Sequence, residues 1–165
     1  MKFGIFLMVA HPAGDPIAVR FREHLEQVRA IRDAGFDSLV LGQHFVTAPI
    51  QMLQPVPVLA RLIPEAGRLT LVVGVFVLPL LHPVLTAEEM AALDVMADGR
   101  TVCGVGMGYR QEEFASFGVP YGERLARFNE ALSLMKRLWT EDRVTFEGRF
   151  WRLKDVGIAP RPIQT

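Results

Sequence analysis

Hydrophobic residues along the chain follow two spacings, one typical of strands and one typical of helices. Four runs of strand length are nearly continuous in Val, Leu, Ile and Phe, and they read FGIFL (3–7), SLVLG (38–42), LTLVVGVFV (69–77) and TVCGVGM (101–107). Such runs are typical of parallel strands covered on both faces. Between them, apolar residues recur at three- and four-residue steps, which predicts helices. The alternation predicts an α/β fold with a parallel sheet.

The predicted helices differ in how clearly their ends are marked. In the second, which begins near Pro57, we expect Pro64 to end or kink the helix. In the third, Thr86 and Glu89 have the spacing of a capping box. A last helix, from about residue 123 to 140, is predicted to bury an apolar stripe of Leu125, Phe128, Leu132, Met135 and Trp139. After it, VTFEGRFWRL (144–153) predicts a β-hairpin that turns near Glu147 and Gly148.

Composition bounds the class of protein. Half of the 165 residues are apolar, which predicts one packed domain over 1–165. The 18 basic residues equal the 18 acidic ones, so nucleic acid and anionic membranes are not expected partners, and a small molecule or another protein is. The longest apolar segment, residues 69–81, is shorter than the ~18 residues that span a bilayer. The single cysteine, Cys103, permits no internal disulfide and agrees with a cytoplasmic location.

Two places carry candidate chemistry. The second apolar run ends in Gln43 and His44, a polar pair at the end of a strand made for a core. The run GVGMGY (104–109) is not a dinucleotide-binding fingerprint, because Tyr109 stands at the third glycine position and the glycines lie within the fourth predicted strand. Its glycines at 104, 106 and 108 are predicted to share one strand face. That face admits either a planar ring or a closely packed neighbouring strand.

Five segments together resemble the bacterial luciferase-like flavin-dependent monooxygenases over essentially the whole chain. They are GFDSLVLGQHF, LTLVVGVFVLPLLHPV, LDVMADGRTVCGVGMGYRQEEFASFGVPYGER, LWTEDRVTFEGRFW and APRPIQ. The resemblance implies a TIM (β/α)8-barrel type of fold. It also implies reduced FMN, or in a related branch the deazaflavin F420, bound at the carboxyl ends of the strands.

The resemblance also implies roles for particular residues. The family's strand-two histidine matches His44, which would act on the chemistry of the cofactor. The cofactor-binding residues that it implies are Gly74, Val75 and Phe76, where relatives carry a non-proline cis peptide, and Gly106, Met107, Gly108 and Tyr109. Luciferase has an arginine where this chain has Met107, and the nearby Arg110 could partly replace it. The alternative for His44 is a purely structural role, in which it donates a hydrogen bond to a backbone carbonyl and only caps the sheet.

The remaining histidines and the cysteine are weaker candidates. His11, just beyond the first strand, could face the same end of the barrel, and His82 is expected to shape the turn into the third helix. His24 lies among charged residues of the first helix and is interpreted as a solvated surface group. Cys103 is interpreted as a small core residue. No group of residues has the spacing of metal ligands, so no metal is expected.

The chain supplies only about the first four βα units and a hairpin, whereas a complete barrel takes ~250 residues and eight strands. A sheet of this kind would leave two edges and one face uncovered. Three explanations stay open: a piece of a longer reading frame, which we favour; two copies that associate; or a second polypeptide that brings the complementary half barrel. Phosphate sites of such barrels follow strands seven and eight, so this chain is expected to carry the ring side of the flavin site.

The leading functional prediction is a flavin-dependent oxidoreductase or monooxygenase that uses reduced flavin and O2 on a small organic substrate. A separate flavin reductase is a possible partner. One alternative is an F420-dependent oxidoreductase without oxygen chemistry. Another is a non-catalytic half barrel that functions only as an assembly partner or homo-oligomer.

Overall fold

The four apolar runs of the sequence form one sheet in the computed structural model, which describes residues 1–164. Along the chain the elements are β1 (Gly4–Phe6), β2 (Ala10–His11), α1 (Ile17–Asp33), β3 (Ser38–Leu41), β4 (Gln51–Met52), α2 (Pro55–Ala66), β5 (Thr70–Val77), α3 (Pro83–Met96), β6 (Thr101–Gly106), α4 (Gln111–Ser116), α5 (Arg124–Thr140), β7 (Val144–Glu147) and β8 (Arg152–Val156). Short 3-10 turns lie at Leu78–Leu80 and Tyr121–Glu123.

The main sheet has its strands in chain order, β1-β3-β5-β6. β1 pairs in parallel with β3, and β3 pairs in parallel with β5. At the start of β6, the Leu71 N–H donates to the Arg100 carbonyl over 2.8 Å. A doubly wound sheet reverses its strand order at a switch point, whereas successive βα units of a barrel add strands in sequence. The order therefore confirms the predicted α/β class and agrees with a partial barrel.

The chain divides into two compact units. The first comprises residues 1–76 and 100–104, and the second comprises residues 77–99 and the chain from 105 onward. The interpretation of residues 1–165 as one domain stays a prediction.

Within the first unit, the two faces of the sheet differ in burial. In-register pairs Leu39 with Leu71 and Leu41 with Val73 are fully buried, and each such side chain stabilises the fold by roughly 1.5–3 kcal/mol. The row on the opposite face joins Phe6, Val40 and Val72 in register, and Phe6 is 52% exposed. Val40 and Val72 are half-buried, so this face of the sheet is only partly covered, as the sequence predicts.

Within the second unit, α3 packs against α5, and the Trp139 indole N–H donates to the Ala87 carbonyl over 3.0 Å. The predicted apolar stripe of α5 is confirmed at Met135, which is fully buried, but it is wrong at Leu125, which is 56% exposed. The buried face consists of Ala131, Leu134, Met135 and Leu138. α5 carries apolar residues over a wide arc, and the buried side of that arc is the one that contains Ala131, Leu134 and Leu138.

Two other helix predictions are corrected. α2 continues past Pro64 to Ala66, so the expectation that Pro64 ends the helix is wrong; Pro64 lies in the last turn, where the N–H it lacks removes one hydrogen bond only. α3 begins at Pro83, with extended His82 as its N-cap residue, so Thr86 is not a cap. The Thr86 hydroxyl instead donates to the His82 carbonyl over 3.1 Å. The hairpin prediction is confirmed by the antiparallel pairing of β7 and β8.

No helix among residues 1–164 has both the length and the apolar character needed to cross a bilayer.

Candidate active site

In the first unit, the carboxyl ends of β1, β3 and β5 meet closely around Gly42. Gly42 is buried, and a Cβ on it would lie 3.0 Å from the Phe6 ring and 3.6 Å from the Gly74 carbonyl. Any side chain at this position would therefore push against the neighbouring strands. The sequence analysis missed Gly42 and Phe6, whose closeness depends on the register of three strands.

The stretch Gly74–Phe76 lies in the second half of β5, beside the end of β3. Its Gly74–Val75 peptide bond is cis, which is what the family resemblance implied for this position. A Cβ on Gly74 would lie 2.5 Å from Cγ1 of Val40. The Val75 side chain is 41% exposed, whereas Phe76 is 1% exposed and points into the core. Of the three predicted cofactor residues, Val75 is thus the one whose side chain is accessible.

The backbone at Gln43 and His44 is held by Gln54, the N-cap residue of α2. The Gln54 side-chain amide donates to the His44 carbonyl over 2.9 Å, and its oxygen accepts from the Gln43 amide over 3.3 Å. Gln43 is buried and His44 is half-buried. This explains why a strand made for a core ends in polar residues, since they join the end of β3 to the start of α2. The catalytic role of His44 stays a prediction.

In the second unit, the predicted residues Gly106 to Tyr109 form the end of β6 and the loop after it. Met107 is 41% exposed and Tyr109 is 70% exposed. Gly108 has φ +72, and a Cβ on it would come within 2.6 Å of Val77 and 3.0 Å of the Phe114 ring. Gly108 therefore lies beyond the strand, and the prediction that the three glycines share one strand face is wrong.

Gly104, in the first unit, is a glycine because a neighbouring strand packs closely against it, which was the alternative to ring binding for residues 104–109. A Cβ on Gly104 would overlap the backbone carbonyl of Val73 on β5. Close approach of two strands thus requires glycine here, whatever binds at the strand ends.

The loop of Tyr109 is supported by residues that the sequence analysis missed. The Tyr121 hydroxyl donates to the Tyr109 carbonyl over 3.3 Å, and the Tyr121 ring meets the edge of Phe114 at 5.2 Å between centroids. The Arg124 guanidinium lies 4.0 Å from the centre of the Tyr121 ring. These aromatic and cationic side chains lie 5, 12 and 15 residues downstream of Tyr109, and no local sequence motif indicates the contacts.

The chain matches a known protein family over its whole length. The sequence profile described as luciferase-like monooxygenase matches residues 1–165. This chain belongs to the luciferase-like monooxygenase family.

Among curated relatives of this luciferase-like chain is an F420-dependent glucose-6-phosphate dehydrogenase from Intrasporangium calvum. It is 34% identical over 156 residues, which cover 87% of this chain and 46% of the relative. A crystal structure of the monooxygenase RslO1 from Streptomyces bottropensis superposes with TM-score 0.90 at 31% identity, covering 99% of this chain and 50% of that one.

A third match shares the fold at lower identity. It is the oxygenating constituent of 3,6-diketocamphane monooxygenase from Pseudomonas putida, solved in complex with FMN, with TM-score 0.82 and 19% identity over 93% of this chain and 43% of that one. The chain therefore spans about half the length of these relatives. The fold is that of a partial luciferase-like TIM barrel, as the resemblance implied.

Other candidate residues of the luciferase-like chain have defined surroundings. Arg110 lies 3.6 Å from the fully buried Glu113 carboxylate, which orients it, and its part in phosphate contact stays a prediction. Burial raises the pKa of the Cys103 thiol to about 12, so this half-buried cysteine is a poor nucleophile. Within residues 1–164, no group of three or more His, Cys, Asp or Glu residues could hold a metal ion.

The interpretation of His24 as a solvated surface group is wrong. Its side chain is buried at 3% exposure, and its Nε2 atom lies 2.9 Å from Nε2 of His11. His11 therefore faces α1. The reason is that α1 buries a narrow face through His24 and Val28, four residues apart, and this face accepts an imidazole because His11 supplies a hydrogen bond.

Proposed function

We propose that this chain forms part of an oxidoreductase that binds FMN at the carboxyl ends of its strands and acts on a small organic substrate with O2. The observation that carries the proposal is the edge of the first unit, where Val75 on β5 is an exposed apolar residue beside the strand ends. Membership of the luciferase-like family supports it, since that family is one of oxidoreductases and monooxygenases.

The residues at this edge suit a flat aromatic ring. Ring-binding sites are lined mostly by apolar groups. The exposed Val75 side chain provides such an apolar contact, whereas the space at Gly42 and Gly74 is filled by Phe6 and Val40. We assign Val75 to the ring of the cofactor and not to its phosphate, and Gly74 and Phe76 stay predicted contacts. Gly106, Met107, Gly108 and Tyr109 stay predicted cofactor contacts of the second unit.

The redox chemistry belongs to the cofactor, which transfers electrons between substrate and oxygen when bound. The protein would orient the ring, exclude water and supply a proton. His44 is proposed for the proton, because imidazole is the side chain whose charge changes most readily near neutral pH. Gln54 holds the His44 backbone in place for this role.

An F420-dependent oxidoreductase without oxygen chemistry is the second candidate. The relative from Intrasporangium calvum, named as F420-dependent, is 34% identical to this chain and favours it. Both candidates use the same edge of the sheet, so they differ in the cofactor and in the electron donor or acceptor.

The proposed partners follow from the proposed chemistry and from the partly uncovered face of the sheet. A small-molecule substrate is expected in either case, and a separate flavin reductase would supply reduced FMN. We also propose that a complementary half barrel or a second copy covers the row at Phe6, Val40 and Val72, of which Phe6 is exposed and the two valines are half-buried. Static light scattering of the 165-residue chain would show a dimer in the second case and a monomer if no second copy binds.

The ring assignment is tested with a charge placed at Val75. Val75→Lys puts an ammonium where the apolar ring would pack, and we expect FMN or F420 to bind at least tenfold more weakly, a loss of about 1.4 kcal/mol. The matched control is Val95→Lys, because Val95 on α3 is 43% exposed against 41% for Val75. Equal affinity in both variants, measured by cofactor fluorescence, would show that Val75 does not contact the ring.

His44 is tested separately through turnover. If it transfers a proton, His44→Gln should lower the rate of substrate oxidation by roughly 10²–10⁴-fold while cofactor affinity changes little. The control is His82→Gln, since His82 is exposed at the start of α3. Full turnover by the His44 variant would refute proton transfer by His44 and leave the purely structural role, a histidine that caps the sheet.

A further inference from the structure

His11 and His24 form a hydrogen-bonded pair inside the first unit. Their Nε2 atoms are 2.9 Å apart, while the ring centroids are 5.0 Å apart with the planes inclined by 43°. The two nitrogens therefore lie between the rings, which meet tip to tip and do not stack. His11 ends β2 and has a side chain 14% exposed, and His24 lies in α1 at 3% exposure.

The neighbours of the pair define where its hydrogens are. Nδ1 of His24 lies 2.9 Å from Oε1 of Gln27. An amide oxygen only accepts hydrogen bonds, so Nδ1 of His24 carries a hydrogen. In a neutral imidazole the other nitrogen is then an acceptor. His11 must therefore be the donor of the Nε2–Nε2 hydrogen bond.

The charged groups around the pair lie on the side of His11. Its Nδ1 atom is 4.0 Å from Oδ2 of Asp15, and the same oxygen accepts from Nε of Arg20 over 2.9 Å. Arg20 also binds Glu23, over 2.8 Å. From β4, the neutral Gln51 amide donates to the carbonyls of Pro12 and Asp15.

The remaining surroundings are apolar. A cavity of about 470 Å³ adjoins the pair, and its other lining residues, apart from Gln27, are Ile5, Leu7, Met8, Ala30 and Ile31. β1 thus contributes no charged group to the pair. Asp15, Arg20 and Glu23 are the charges that act on it.

We propose that His11 and His24 form a pH-sensitive tie between β2 and α1. A proton on Nδ1 of His11, which faces Asp15, leaves the Nε2–Nε2 hydrogen bond intact. A second proton would have to go to Nε2 of His24, at which the His11 N–H already points. Two N–H groups cannot share that position, so the second proton breaks the hydrogen bond.

The tie holds a segment that follows the end of β1. β2 pairs with β4 through only two residue pairs, Ala10 with Met52 and His11 with Gln51. The Leu53 N–H adds one hydrogen bond to the Val9 carbonyl, over 3.2 Å. Loss of the His11–His24 hydrogen bond would therefore loosen the β2–β4 pair from α1. This inference goes beyond the proposed function and depends on no cofactor.

The hydrogen bond is observable directly by NMR. In the 165-residue chain with ¹⁵N-labelled histidine, we expect a coupling between two Nε2 nuclei at pH 7.5, present in the wild type and His82→Gln and absent in His24→Gln. We expect it to disappear as the pair takes up its second proton. No coupling at pH 7.5, or a coupling of unchanged size down to the lowest pH at which the chain stays folded, would overturn the proposal.

The energetic consequence is measured by urea unfolding between pH 7.5 and 5. His24→Gln keeps an acceptor for His11 but cannot be protonated. If the second proton is excluded while the tie holds, as the geometry implies, the unfolding equilibrium of the wild type should gain up to about tenfold per pH unit over that of the variant. His82→Gln should behave like the wild type. Equal pH slopes in wild type and His24→Gln would overturn the tie, and if that variant does not fold, the wild-type coupling decides.

Discussion

Glu130 on α5 fixes the turn of the hairpin, and its replacement by glutamine should destabilise the second unit. The carboxylate accepts three consecutive backbone N–H groups. Oε2 accepts from Arg149 over 3.0 Å, and Oε1 accepts from Phe150 over 3.0 Å and Trp151 over 2.9 Å. A Cβ on Gly148 would overlap this carboxylate, so the turn is shaped around it.

The magnitude follows from the number of acceptors lost. In Glu130→Gln one oxygen remains, which can serve at most the two donors at Oε1, while the new NH₂ group faces the Arg149 N–H. One hydrogen bond to a charged group is then lost and two become neutral, and such bonds contribute roughly 1.5–3 kcal/mol each. We expect the free energy of unfolding to fall by about 2 kcal/mol, which lowers the Tm by about 4–8 °C for a chain of this size.

The assay is urea unfolding followed by tryptophan fluorescence, since Trp151 is 9% exposed beside the turn. Glu147→Gln is the matched control, because Glu147 is an exposed glutamate on the same hairpin. It should change stability by less than about 0.5 kcal/mol. If Glu130→Gln and Glu147→Gln unfold at the same urea concentration, the three hydrogen bonds do not stabilise the turn and the reasoning is refuted.

Three further predictions concern the first unit. Gly104→Ala should destabilise the chain by more than about 1 kcal/mol, because its Cβ overlaps a carbonyl of β5, whereas Gly122→Ala, with open space around it, should not. Hydrogen bonding to Arg61 lowers the pKa of buried Glu65, so Glu65→Gln should cost about 1 kcal/mol at pH 7, and the difference in unfolding free energy should vanish as the pH falls from about 5 through the folded pKa. Cys103, with its pKa raised to about 12, should resist iodoacetamide at pH 8 until urea unfolds the chain, as mass spectrometry would show; prompt labelling of the native chain would contradict its burial.

The strands were predictable because each is an uninterrupted apolar run of the right length, and the hairpin because Gly148 separates two β-rich segments. Their order in the sheet follows from the simplest βα connectivity. The orientation of α5 was not predictable, since Leu125 and Leu134 are equally apolar and only the tertiary fold decides which one is buried. The same holds for α2, in which the effect of Pro64 depends on where the helix ends.

The candidate site was predictable only where the residues carry a family motif. The resemblance implied the cis bond at Gly74–Val75, and the structure contains it. The close packing at Gly42 and the His11–His24 pair were not predicted from the sequence, because each depends on contacts between residues that are distant along the chain. His24 lies among charged residues and was therefore interpreted as solvated, since the sequence pattern does not indicate its partner, His11, thirteen positions earlier.

The most direct test of the central claim is equilibrium binding of the cofactor to the 165-residue chain. FMN and F420 are titrated separately while their fluorescence is followed, with lumiflavin, which has the ring but no phosphate, as competitor. The account predicts saturable binding at one site for at least one cofactor, and displacement of FMN by lumiflavin because the named residues contact the ring. Failure of both cofactors to bind at concentrations up to about 1 mM, a binding free energy weaker than about −4 kcal/mol, would contradict it.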